Sequence, residues 1–375
     1  MIKEIKACRI CGNPNLESIL SLGDQTLTGV FPRKTSEFIT RGPMELVKCR
    51  EDVGDHCGLV QLKHSYEQTE MYGENYGYRS GLNRSMVEHL KGRVGRILEK
   101  VSLNAGDLVI DIGSNDSTLL QNYPQKDIQL VGIDPTGVKF KSYYPAHINL
   151  IPDFFSAAKV RQHLGAKKAK VITSIAMFYD LERPTDFMRE VFEVLDDDGL
   201  WVFEQSYMPT MLEKDSYDTV CHEHLEYYAF KQIKWMADAV GFKIVDVEFN
   251  AANGGSFAVT AAKKTSVQFQ ENAPLIHSIL ADEKNKGLSS LEPYRAFAQR
   301  ISLQRENIIE LVRKINGRGQ KIFGYGASTK GNVILQYCSF TSKDIPFIAE
   351  VNSDKFGRFT PGTGIPIISE QQAKD

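Results

Sequence analysis

Between residues 106 and 264 the chain alternates short apolar runs with amphipathic stretches. "DLVIDIG", "IQLVGID", "AKVITSIAMF" and "GLWVFEQ" are continuously apolar rather than alternating. That pattern predicts parallel strands buried on both faces. "FKQIKWMADAVG" predicts a helix ended by Gly241, and "FKIVDVEFN" and "SFAVTAAKK" predict the last strands. Together they form a doubly wound α/β domain. Ahead of it, Met86, Leu90, Val94 and Leu98 recur every four residues among charges and predict a helix. Behind it, residues 268–318 are polar and helical in pattern. "KIFGYGAS", a helix through "GNVILQYC", and "IPFIAEVN" then predict a second, smaller α/β unit. The first 66 residues differ from all of this. "PNLESILSLGDQTLTGVFP" is punctuated by Gly and Pro and reads as turn-rich, and "ELVKC" and "CGLVQL" predict two short strands. The expected division is 1–66, 67–265 and 266–375.

Composition narrows the class without naming a function. The chain has 375 residues, 42% hydrophobic and 25% charged, as in ordinary globular proteins. A formal net charge of −2 offers no basic excess for nucleic acid. No apolar run approaches the roughly 20 residues that span a bilayer. "MIKEIKACRICG" lacks the apolar centre of a signal peptide, so the expected compartment is the cytoplasm.

Cysteine placement does change the picture. Cys8, Cys11, Cys49 and Cys57 hold four of the six cysteines within the first 57 residues. In a cytosolic chain such clustering points to metal rather than disulfides. Cys8 and Cys11 supply two thiolates on one tight turn. Cys49 and Cys57, with seven residues between them, would close a four-thiolate zinc site, with His56 the alternative to Cys57. Such a site has no open position, so the zinc would be structural, stapling a domain too small to hold itself.

"LVIDIGSNDSTLL" reads as strand, sharp turn and helix start, with Asp116 or Ser117 as the helix cap. Asp111 ends the strand, Gly113 allows close backbone approach, and Asn115 lies beside it. A single glycine is too few for a dinucleotide turn. S-adenosylmethionine has no pyrophosphate and needs less. Asp134, at the end of the next strand, would take its ribose hydroxyls by the logic dinucleotide folds also use. Asp153 in "IPDFFS" is the candidate for the adenine amino group. Downstream, "FGYGASTKGN" runs from strand to helix and offers amides to an anion, with Lys330 adding charge. Tyr325, Lys330 and Asn332 there, and Arg358 in "KFGRFTPG", are candidate substrate contacts.

"CHEHLEYY", residues 221–228, is open to three readings: metal site, acid–base centre or packing. His222 and His224 on a strand would share a face, but no third ligand lies nearby and the spacing is not His-Glu-x-x-His. Several stretches then converge on one resemblance. "CRICG", "YGYRSGLN", "DIGSNDSTLL", "YDTVCHEHLEYYAF", "NGGSF" and "GYGASTKGN...VNSDKFGRFTPGTGIPI" resemble the sugar C-methyltransferases, in order and across nearly the whole chain. The resemblance implies a small N-terminal zinc-binding domain, a central Rossmann-like domain for S-adenosylmethionine, and a C-terminal α/β domain for the nucleotide sugar. It implies a monomer acting on a nucleotide-linked 4-keto-6-deoxyhexose, for O-antigen or natural-product glycosylation, with dTDP, GDP or CDP open. It places the base on His224, with Glu223 orienting it or binding a sugar hydroxyl and His222 a bystander. Tyr76 or Tyr78 would donate to the keto oxygen, and Asn253 would reach the sugar. A keto group acidifies its neighbouring C–H, and a near-neutral histidine suits its removal.

Three features depart from the family. Cys221 stands where relatives have tyrosine, Asp180 stands near a position where they often have histidine, and "ISEQQAKD" comes where one more strand and helix are expected. These departures keep two competing readings open: an epimerase or isomerase using the same enolate, and a non-catalytic nucleotide-sugar binder.

Overall fold

The structure, a computed structural model, describes residues 2–52, 54–72 and 76–374. Its N-terminal part is an antiparallel sheet of β1 (Leu16–Thr26), β2 (Arg41–Cys49) and β3 (Val60–Leu62). β1 corrects the turn-rich reading of "PNLESILSLGDQTLTGVFP". Its buried residues Ile19, Leu20 and Leu22 break strict alternation because the register shifts between Ser18 and Leu20 and again between Ser21 and Asp24. Bulges of this kind hide a strand from a period-two reading. The sheet's fourth strand comes from far along the chain: Glu226–Tyr227 pairs antiparallel with Gln61 and Val60. The buried core likewise runs without a break from Met44 and Leu46 to Tyr228 and Phe230.

The central sheet has seven strands. β4 (Leu108–Ile112), β5 (Gln129–Ile133), β6 (Ile148–Ile151), β7 (Ala169–Ile175) and β8 (Leu195–Ser206) are parallel. β9 (Phe242–Asn250) and β10 (Ser256–Lys263) close it in the order β9-β10-β8-β7-β4-β5-β6. Only β10 and its two neighbours pair antiparallel. The chain fills one side of β4 with β5 and β6, then crosses to β7 on the other. The carboxyl ends of β4 and β7 therefore flank a topological switch point, where open α/β sheets bind ligands.

α1 (Arg84–Lys100) is capped by Asn83, whose side chain accepts from Ser85 N at 3.0 Å. Its buried face is Leu90, Arg93, Val94 and Ile97, so an arginine occupies a position the apolar pattern did not mark. Arg93 Nη2 donates to Glu204 Oε2 at 2.6 Å and Nη1 to Glu248 Oε1 at 3.1 Å, pinning α1 to β8 and β9. Removing one partner of such a buried pair strands the other charge. Glu204→Ala should lower stability by about 3–5 kcal/mol, read as a fall in denaturation midpoint.

α2 (Pro184–Val194) covers β7 and β8 from one face. α3 (Phe230–Val240) ends at Gly241, which takes φ +103° as its C-cap. α4 (Ala273–Asn285) and α5 (Glu292–Gly317) fill the expected helical stretch. α4 supplies Glu283, whose carboxylate accepts from Phe230 N, Lys231 N and Tyr207 OH and so caps α3. The last unit is a parallel sheet of β11 (Gly324–Tyr325), β12 (Ile348–Glu350) and β13 (Ile367–Ser369), with α6 (Thr329–Tyr337) after β11. No helix among the described residues is long and apolar enough to cross a membrane.

Candidate functional site

The four N-terminal cysteines converge. Their sulfurs all lie within 4.8 Å of one another, with Cys8–Cys57 at 3.5 Å and Cys11–Cys49 at 3.6 Å. These separations are far beyond a disulfide bond. They match the edges of a tetrahedron whose metal–sulfur bonds are about 2.3 Å. Asn13 Nδ2 donates to Cys49 Sγ at 3.4 Å, a supporting bond of the kind that orients a metal ligand. The donor set fits zinc, with no coordination place left for a reactant. His56 is not part of the cluster, and neither are His222 and His224.

At the switch point, Gly113 has φ +75°, and a Cβ there would sit 3.0 Å from Met177 Cγ. Asn115, with φ +48°, donates its N–H to Asp134 Oδ2 at 2.8 Å. Asp134 Oδ1 is filled by Thr136 N and Oγ1, so Oδ2 keeps a lone pair for a hydroxyl. The open backbone at Gly113 and the acceptor at Asp134 fit the ribose of S-adenosylmethionine. Asp111 faces into the sheet instead, accepting from Thr173 Oγ1 at 2.6 Å, and burial pushes its carboxyl up to about 7. The Asp153 side chain is about half exposed and pairs with Lys159 at 2.6 Å.

The expected α-helix after this turn is absent. Residues 114–119 form turns, followed only by a 3₁₀ segment at Leu120–Asn122. Asp116 therefore caps no helix. Its Oδ1 accepts from Thr118 Oγ1 and its Oδ2 from Gly81 N at 2.9 Å, while Asn115 Oδ1 accepts from Ser80 N at 2.9 Å. These side chains tie the "YGYRSG" loop to the cofactor turn. Tyr144 OH adds bonds to Asn115 O and Ser114 Oγ. Tyr144 carried no pattern in the sequence.

"CHEHLEYY" lies where the three parts meet. Thr219 O has a single role toward the His224 ring: it accepts from Nδ1–H at 2.9 Å. That fixes the tautomer and leaves Nε2 with a lone pair. The ring packs on Tyr179 at 4.2 Å, beside a cavity of about 10 Å³, room for roughly one water. In so dry a place burial lowers His224 to about 4, with Lys330 adding to the effect, so it is neutral near pH 7. Glu223 is buried, and a Cβ on Gly29 would fall 2.1 Å from its Oε1. The N-terminal segment after β1 thus packs onto this carboxylate. Asp180, Cys221, Tyr72 and Tyr76 complete the cluster: Tyr72 OH donates to Asp180 Oδ2 at 2.9 Å, and the Tyr72 and Tyr76 rings are 5.5 Å apart. Tyr72, Asp180 and Gly29 were not candidates from sequence. Asp180 was marked only as a departure, and no local pattern joins residues 108 apart. Tyr78 is 47% exposed, which leaves Tyr76 as the inner tyrosine. His222 is fully buried, edge-on to Tyr66. Cys221 is 1% exposed, and burial raises its thiol well above its ordinary value.

The candidate substrate contacts divide. Lys330 Nζ donates to Asn253 O at 2.9 Å, and its charge also acts on His224. Asn332 is buried and donates to Thr28 O, and Arg358 donates to Phe31 O and Asp354 O, so both hold the last unit to the first. Tyr325 is 75% exposed and bonds Glu370. In the glycine loop, Ser328 caps α6 and Glu350 already takes Ala327 N at 2.8 Å.

The strand order, the glycine turn at its switch point and the acid that follows β5 are those of an S-adenosylmethionine-dependent methyltransferase, here with a four-cysteine site for a structural zinc. Three family models match consecutive parts of the chain: a zinc binding domain over residues 8–72, a methyltransferase domain over 86–247 and a C-methyltransferase C-terminal domain over 251–375. The C-methyltransferase NovU of Streptomyces niveus is 29% identical over 377 residues, spanning 100% of this chain and 88% of that relative. A methyltransferase structure from Bacillus halodurans is 10% identical and covers 47% of this chain and 100% of its own, with a TM-score of 0.36. LepI in complex with SAM is 13% identical and covers 49% of this chain and 54% of its own, with a TM-score of 0.37. From residue 8 to its end the chain is thus similar to the successive parts of a C-methyltransferase. That similarity favours methyl transfer over the isomerase and the non-catalytic binder.

Proposed function

We propose that the protein methylates a carbon beside the carbonyl of a nucleotide-linked 4-keto-6-deoxyhexose, through an enolate generated by His224. The observation that carries this reading is the His224 ring, neutral, held by Thr219 O with Nε2 free, and packed on Tyr179, which Asp180 and Tyr76 also approach. Nε2 takes the proton from the carbon next to the keto group. The C–H electron pair becomes the enolate double bond, and charge moves to the keto oxygen. Tyr76 stands to hydrogen-bond that oxygen, and Glu223 to hold a sugar hydroxyl. Lys330, joined to the Asn253 turn, supplies positive charge for a diphosphate. Gly113, Asn115 and Asp134 would hold S-adenosylmethionine, which supplies an electrophilic methyl group when bound. One chain contains all of these residues, so a monomer suffices.

The test is incubation with S-adenosylmethionine and a panel of dTDP-, GDP- and CDP-linked 4-keto-6-deoxyhexoses. The expected product is one methylene unit heavier, and failure with the whole panel rejects the reading. Because His224 acts unprotonated, kcat/KM should fall as pH drops through about 4 and stay level from there to neutrality. A pH–rate profile checks this. Gly29→Ala should displace the Glu223 carboxylate and lower kcat by about tenfold or more while leaving cofactor affinity unchanged, because the cofactor turn lies elsewhere.

A further inference from the structure

The cluster contains two carboxyl groups, and they are not equivalent. Asp180 Oδ2 accepts from Tyr72 OH at 2.9 Å. Its Oδ1 is buried and has no hydrogen-bond partner among the described residues. Glu223, 8% exposed, also has one buried unpartnered oxygen, Oε2. Two buried carboxyls this close cannot both ionise cheaply. Thr28 and Cys221 both donate toward Glu223, whereas Asp180 has one donor, Tyr72, and no cation acts on it. Burial pushes both carboxyls up, Asp180 well above its ordinary value, so the proton settles first on Asp180. Since Oδ2 is the acceptor for Tyr72, that proton belongs on Oδ1, a buried donor with nothing to receive its hydrogen bond. A buried donor left in this state is costly and marks a place for an oxygen acceptor.

We propose that Asp180 is a catalytic residue that carries a proton on Oδ1 and hydrogen-bonds the keto oxygen of the substrate while the neighbouring C–H bond breaks. This rests on the enolate reading above. The C–H proton passes to His224 Nε2 and its electron pair enters the new C=C bond. Charge accumulates on the keto oxygen, where the Asp180 O–H bond strengthens. When the carbon takes the methyl group, the C=O bond re-forms and Asp180 keeps its proton throughout. A carbonyl oxygen has two lone pairs, so Tyr76 and Asp180 can both donate to it. A carboxylic acid held neutral in an apolar site is a known kind of oxyanion donor. This donor belongs to this chain, because Asp180 stands near where relatives carry histidine.

The groups that face Asp180 are Tyr72 and Tyr76 from the N-terminal side, its neighbour Tyr179, and Cys221, Glu223, Glu226 and Tyr227 from the segment carrying the base. Being required in protonated form, Asp180 should impose a loss of activity as pH rises, opposite in sign to His224. The experiment compares wild type, Asp180→Ala and Asp180→Asn, using whichever panel keto sugar the wild type methylates. It measures kcat against pH and, with S-adenosylhomocysteine in place of the donor, deuterium exchange into the sugar from D₂O. Asp180→Ala should lose about a hundredfold in both exchange and kcat, with S-adenosylhomocysteine binding unchanged as the check on folding. Asp180→Asn, which keeps a donor and the shape, should keep at least about a tenth of wild-type kcat and lose the alkaline fall. If Asp180→Ala stays within about threefold of wild type, the proposal is overturned. It is equally overturned if asparagine is as inactive as alanine, for then the residue acts ionised, as a base or as a partner for a substrate ammonium. A wild type inert toward the whole panel would instead remove the sugar reading, and this inference with it.

Discussion

His224→Asn is expected to lower methyl transfer by about a thousandfold or more, with S-adenosylmethionine binding unchanged in calorimetry. Asparagine can still reach Thr219 O, so the loop keeps its shape, but it offers no basic nitrogen. The size of the effect follows from the surroundings. Thr219 O fixes the proton on Nδ1, and burial holds the ring neutral, so every molecule near pH 7 has the base form ready. No preparatory deprotonation stands between binding and reaction. A variant that loses kcat and deuterium exchange together has lost the base. One that keeps exchange and loses only methyl transfer would show that the proton leaves to another group, and would reject His224 in that role.

The parts of this site that could be read from the sequence are those built from local spacing. Cys8 and Cys11 share one turn, and four parallel strands announce themselves as unbroken apolar runs because both their faces are covered. Gly113 and Asp134 follow from where strands end. The rest depends on contacts across the chain. β1 is hidden by its bulges, since each shift swaps which face the next residue serves. The helix expected at Asp116 is missing because the candidate caps are committed elsewhere: Asp116 to Gly81, more than thirty residues back, and Ser117 to Tyr143 and Gln121. Arg358 and Asn332 carry groups suited to phosphate or sugar, yet both are used to hold the last unit against the first. Asp180 shows the limit most clearly. Its meaning comes from Tyr72, Glu223 and Cys221, and no window of sequence contains all four.

Stripping the zinc should disable catalysis as well as loosen the N-terminal sheet. A structural four-thiolate site contributes apparent binding energy of about 10–16 kcal/mol, which is folding energy because the site does not exist in the unfolded chain. Here the energy is coupled to the base by a short path. Cys49 ends β2, and Cys57 lies three residues before β3. β3 pairs with Glu226–Tyr227, and Leu62 N donates to Leu225 O at 2.8 Å, next to His224. Gln232 Nε2 also donates to Cys57 O at 2.7 Å, tying α3 to a metal ligand. If β3 loosens, the strand that seats His224 loses its partner, and Thr28 and Gly29, in the segment just after β1 of the same sheet, release Glu223. Cys11→Ser or prolonged chelation should therefore lower the denaturation midpoint sharply and cut kcat by about tenfold or more at temperatures where the central sheet is still folded. Cofactor affinity should fall far less, because Gly113 and Asp134 directly follow β4 and β5, which the zinc does not touch. Readdition of zinc should restore both midpoint and kcat. Full activity in a protein shown by metal analysis to hold no zinc would break the coupling between the metal site and His224.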